Sequence, residues 1–103
     1  MFGRSRFAKL IDAQIDVFVR DNRGVIEEVD ERLEAYNRAD RAEAEELYGD
    51  YVDAVETGTE VLADIRWSFW KTLDDETAEE YEAEFNRAVA KRLPRFGFEI
   101  ENR

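Results

Sequence analysis

From Phe7 to Leu93 the apolar residues recur at steps of three and four almost without interruption, and the chain contains no histidine and no cysteine. A repeat of that period lines apolar side chains along one face of a helix, so the pattern predicts an all-α fold. The missing residue types narrow the chemistry. Without cysteine there is no disulfide, thiolate nucleophile or thiolate zinc site, and without histidine there is no His-based triad and none of the usual transition-metal ligation. Carboxylates, hydroxyls, lysines and arginines remain.

The first stripe reads Phe7, Leu10, Ile11, Ile15 and Phe18, and keeps its phase past Gly24 through Val25, Ile26, Val29, Leu33 and Tyr36. It predicts one helix from about Ser5 to Tyr36, with Gly24 as its weak point, because glycine costs about 1 kcal/mol relative to alanine in a helix. Asn37 to Asp40 is the first clear break, and Asp40 followed by Glu43 has the spacing of a capping box. A second long helix follows, with Leu47, Tyr51, Val55, Gly58, Leu62, Ile65 and Phe69 on its stripe and Tyr48, Val52 and Trp70 widening it. A third starts at Asp74 or Thr77 and carries Ala78, Tyr81, Phe85, Val89 and Leu93. Trp67 and Trp70 are expected to meet Tyr81 and Phe85. Pro94 and Gly97 then end the helical pattern, and the alternation Phe96, Phe98, Ile100 predicts an extended C-terminal tail. The expected organisation is one helical domain, 1–93, with the tail at 94–103; a chain of 103 residues has room for a single core.

The two long helices are expected to close an antiparallel hairpin near residues 37–40, which sets residues whose numbers sum to about 77 at the same level. Each would be about 50 Å long and the third about 27 Å, so the third shields only the half nearest the termini. The distal half is left with Ile26, Val29, Leu33, Tyr36, Leu47, Tyr48, Tyr51 and Val52 on two helices. Two helices cannot bury that surface alone, and the expected remedy is a symmetric homodimer in which two hairpins form a helical bundle, the alternatives being that the tail folds back over the patch or that the patch receives another protein. Tyr36, Tyr48 and Tyr51, with Phe96 and Phe98 of the tail, are therefore the candidate partner-binding residues.

The net charge of −11 is uneven: residues 1–24 sum to +2, 25–90 to −15 and 91–103 to +2. An acidic field repels nucleic-acid phosphates and attracts a basic protein partner. Its densest part is a ridge of Glu43, Glu46, Asp50, Asp53, Glu60 and Asp64, with no lysine or arginine between Arg41 and Arg66. No apolar run approaches the roughly 18 residues of a membrane span, and the start of the chain has no signal-peptide pattern, so the expected location is the cytoplasm with no membrane contact.

In the expected hairpin Glu27 is level with Asp50 and Glu31 with Glu46, while Glu28 and Glu31 share a face at i and i+3. Like charges held that close need a cation, and oxygen-only ligation suits Mg²⁺, Mn²⁺ or Ca²⁺. The stretch Glu27-Glu28-Val29-Asp30-Glu31 resembles the EExxE element of the all-α nucleoside triphosphate pyrophosphohydrolases of the MazG type. Glu45-Glu46-Leu47-Tyr48-Gly49-Asp50 is similar to their second element, EExxD, with one residue more before the aspartate. That resemblance implies Glu28, Glu31, Glu46 and Asp50 as ligands of a Mg²⁺ or Mn²⁺ ion that activates water. The two expectations are thus a non-enzymatic interaction module or adaptor that needs no cofactor and, as the alternative, a metal-dependent nucleotide hydrolase.

Overall fold

The computed structural model of the chain describes residues 6–103. Among them are five helices and no strand: α1 (Ala8–Asp21), α2 (Arg23–Asn37), α3 (Ala44–Trp70), α4 (Asp75–Arg92) and α5 (Pro94–Glu101). None is long and apolar enough to cross a membrane. The molecule measures 51 × 27 × 22 Å, and its radius of gyration of 15.6 Å exceeds the ~13 Å of a compact chain of this length. The elongation follows from the 27 residues of α3, a rod of about 40 Å against which the other helices lie.

The single helix expected from about Ser5 to Tyr36 is two helices, and Ser5 itself lies outside the described residues. The break falls at Asn22, with φ −125° and ψ 31°, and not at Gly24, which is helical. Asn22 turns its amide Nδ2 back onto the Phe18 carbonyl at 3.0 Å, while its own N–H reaches the same oxygen at 2.9 Å. A side chain that competes for backbone acceptors in this way is what makes asparagine a poor helix-interior residue. Hydrogen bonding resumes at once, Ile26 N–H donating to the Asn22 carbonyl at 3.1 Å.

Six residues, 38–43, connect α2 to α3. Asp40 Oδ1 accepts from Glu43 N–H at 3.1 Å, as a capping side chain does, but a further turn is spent before α3 begins at Ala44. This moves the pairing of the two helices away from the expected level. Tyr36 meets Tyr48, Arg32 meets the Asp50 backbone, and Val25 lies near Gly58. Asp74 caps α4, its side chain accepting from Thr77 N–H at 2.9 Å, so Thr77, the other residue expected to start this helix, lies inside its first turn.

The extended tail expected over 94–103 is also corrected. Pro94 does not end helical structure but opens α5, in the first-turn position where its missing N–H has no partner to lose. Phe96 and Ile100, four apart, point into the core, and Phe98 points out. Gly97 lets the short helix settle on α4: a Cβ there would stand 3.0 Å from Ala90 Cα.

The core sits where α1, α3, α4 and α5 converge. Tyr81, Phe85, Phe18, Phe96, Ile15, Leu62 and Ile100 are its largest buried side chains. Tyr81 is wrapped by aromatic edges, with Phe69 at 4.9 Å and Phe7 at 5.5 Å between ring centroids. Its hydroxyl donates to Gln14 Oε1 at 2.8 Å, and burial pushes its pKa up to about 12. Phe18 meets Phe96 edge-on at 5.8 Å. Trp67 and Trp70 stack on each other at 5.0 Å and part company beyond that: Trp70 is half-buried against the edge of the core, beside Ala83 and Asn86 of α4, whereas Trp67 is 53% exposed.

Candidate functional site

The distal ends of α2 and α3 form a two-helix stem that projects beyond the core. α4 packs against α1, α3 and α5, and Phe96 of α5 shares a cleft with Ile26 and Val29 of α2, flanked by the Arg95–Asp30 ion pair at 3.5 Å; Val29 and Ile26, expected on the uncovered distal half, thus belong to the core, Val29 buried and Ile26 half-buried against it. Leu33, Tyr36, Leu47, Tyr51 and Val52 beyond that cleft are only partly buried, and Tyr48 is 49% exposed.

Three tyrosines on this stem form a continuous strip. The ring centroids of Tyr36 and Tyr48 lie 5.2 Å apart at 57°, and those of Tyr48 and Tyr51 6.1 Å apart at 45°. Tyr48 and Tyr51 are brought together by their i, i+3 spacing on α3, and Tyr36 joins them from the last turn of α2. Aromatic pairs of this geometry contribute about 0.5–1.5 kcal/mol each, enough to hold the strip in place while leaving one ring half in water. A tyrosine so placed offers an apolar face and a polar tip, the combination favoured in binding surfaces.

Of the tail residues expected to bind a partner, Phe96 is internal, 1% exposed, with its ring against Phe18 and above Gly58. Its place in the core follows from α5 being helical. Phe98 is 75% exposed.

The carboxylates named as candidate metal ligands take different positions. Glu28 forms an i, i+4 ion pair with Arg32, whose other terminal nitrogen donates to the Asp50 carbonyl at 2.8 Å. A guanidinium thus bridges α2 to α3 at this level, and Arg32, not Glu27, stands opposite Asp50. Glu31 and Glu46 are exposed. Among the described residues no three Asp or Glu side chains are gathered closely enough to hold a metal ion. The longer connection between α2 and α3 is the reason that the Glu27–Asp50 and Glu31–Glu46 levels are not met.

Two features went unread in the sequence. Arg66, 6% exposed, donates from Nη1 to Asn86 Oδ1 at 2.7 Å and to the Ile100 carbonyl at 3.0 Å, tying α3 to α4 and to the C-terminal turn of α5. The end of a helix carries partial negative charge, so the buried guanidinium is partly compensated there without a carboxylate. Its position among the apolar residues of α3, one turn after Leu62, was the available signal. The second feature is an open cleft of about 560 Å³ beside Trp70, where Glu79, Glu82 and Glu101 face Arg87 and Asn86. Its groups are of both signs and converge on no common point.

No protein-family model matches the chain, and neither a curated protein nor a solved structure is similar to it.

Proposed function

We propose that this protein is a non-enzymatic interaction module, an adaptor that docks its partner on the distal stem of α2 and α3. In this reading the two helices act as a hairpin presenting the strip of Tyr36, Tyr48 and Tyr51, and the occupant completes a helical bundle around it. The observation that supports it most directly is the half-exposed Tyr48 between two aromatic neighbours, on a part of the molecule that α4 leaves uncovered. Packing aromatic rings at a surface beyond what the core uses has a cost in solubility, and such groups are concentrated where another surface covers them. A second copy of the chain, giving a symmetric dimer, and a basic protein are the two occupants consistent with an apolar strip on an acidic chain.

The test is amide hydrogen exchange of the full chain over residues 31–37 and 44–53, at low and high protein concentration and with a cationic amphipathic peptide added. Protection of the stem under either condition, lost in Tyr48→Glu with the circular dichroism spectrum unchanged, is the expected result. A stem whose exchange is the same in all three conditions refutes the reading.

A further inference from the structure

The charge of the stem decides between those two occupants. From Glu27 to Asp53 there are eleven acidic and three basic residues, so this part of the chain carries −8 of the total −11. Two of the three arginines are already engaged with carboxylates of the stem, Arg32 with Glu28 and Arg38 with Glu34 at 2.9 Å, and Asp30 is paired with Arg95. Among the described residues the other eight carboxylates of the stem have no ion-pair partner, and Arg41 is the one stem cation left without one. The acidic charge is therefore not neutralised from within.

We infer that the tyrosine strip receives a basic amphipathic helix from a different protein, and not a second copy of this chain. The inference rests on the docking reading above and names its partner. In a symmetric contact each stem would meet its own image, −8 against −8. Packed helices lie 8–10 Å apart, about one Debye length at physiological salt, so screening removes only part of that repulsion. A helix with one apolar face and lysines or arginines along its margins satisfies both features of the stem. Its apolar side chains cover Tyr48 and its neighbours, and its long cationic side chains extend to the carboxylates on either flank, as far as Glu45 one turn before Tyr48. The strip sets the length: residues 44–53 span about 15 Å, so about ten helical residues suffice to cover it.

The experiment uses the full chain and a synthetic helical peptide of about fourteen residues with leucines on one face and six lysines on the other. A hexalysine peptide is the charge control, and sedimentation equilibrium is run in parallel. The expected result is one-to-one binding that weakens about tenfold between 50 and 500 mM NaCl, and about tenfold again in Tyr48→Ala. Hexalysine should bind more weakly and be indifferent to Tyr48→Ala. The protein alone should sediment as a monomer. A wild-type dimer that tightens with salt and is broken by Tyr48→Glu would overturn the inference while sustaining the docking reading, with a second copy as occupant. Peptide binding that Tyr48→Ala leaves unchanged, or that protects α4 and α5 instead of the stem, would also overturn it. A monomer that binds neither peptide at the stem would remove both the inference and the reading beneath it.

Discussion

Gly58→Ala tests the packing of α5 on α3 through a competition between two effects of opposite sign. Gly58 lies inside α3, where alanine is favoured over glycine by about 1 kcal/mol, and it has no positive φ that would exclude a side chain. A Cβ at this position would stand 2.9 Å from Phe96 Cζ, closer still to Cε1, and 3.3 Å from Val25 Cγ1. Carbon atoms pack best at about 3.5–4.0 Å, so the Phe96 ring must withdraw by about 1 Å. It is buried against Phe18, and relaxing an overpacked core of this kind costs about 1–3 kcal/mol. Overpacking outweighs propensity, and the expected outcome is a net loss of about 1 kcal/mol, seen as a fall in Tm of about 4–8 °C for a domain of this size. Gly49→Ala is the internal control. It also lies within α3 but has nothing within 4 Å of its would-be Cβ, so it should gain about 0.5–1 kcal/mol. Thermal and urea unfolding followed by circular dichroism measure both. In a Phe96→Leu background, where the ring is gone, Gly58→Ala should become neutral or stabilising, a coupling of about 1 kcal/mol or more between the two sites. If Gly58→Ala alone raises Tm as Gly49→Ala does, α5 does not seat Phe96 over Gly58 and the account of the core is wrong.

Arg66→Ala removes a buried cation that serves α4 and α5 together, leaving Asn86 and the Ile100 carbonyl without their donor; a loss of about 2–4 kcal/mol is expected in urea unfolding, and a change under 1 kcal/mol would contradict the tie. Tyr81 has a folded-state pKa raised above its unfolded value of about 10, so its contribution is complete below pH 10 and declines as pH rises toward 12; Tyr81→Phe should flatten the stability profile over that window, and an unaltered profile would refute the assignment. For Asp74 the sign is opposite. The Thr77 N–H holds its carboxylate below the usual range, so the capping contribution is present at neutral pH and fades as pH falls below about 4; Asp74→Asn, which keeps a capping oxygen but no charge, should lose that acid dependence while retaining α4.

The carboxylate cluster shows where reading along the chain stops being informative. Spacing places Glu28 and Glu31 on one turn and Glu46 and Asp50 on another, and each of those local statements holds. Their convergence depended on the register between two helices, and that register was set by a six-residue connection of which only the Asp40 cap was legible. A shift of a few residues put Arg32 opposite Asp50. The proximity of the tyrosines needed no exact register: Tyr48 and Tyr51 are one turn apart on the same helix, and any antiparallel pairing with α2 leaves Tyr36 near the same end.

By itself the sequence determined that the chain is helical, that a break opens at residues 37–40, that a helix starts at Asp74 or close after it, and that Ile11, Ile15, Phe18, Leu62, Tyr81, Phe85 and Val89 face inward. Those are properties of period and capping, fixed by neighbours three or four residues away. Only the tertiary structure decided that the first stripe bends at Asn22, that Phe96 and Ile100 turn a seemingly extended tail into a helix, and that Arg66 is buried while Trp67 is not. A short apolar run such as Phe96 to Ile100 satisfies period two and period four equally well. The choice is made by the surface it meets, here the space over Gly58, distant in the chain, and over Ala90 on the preceding helix.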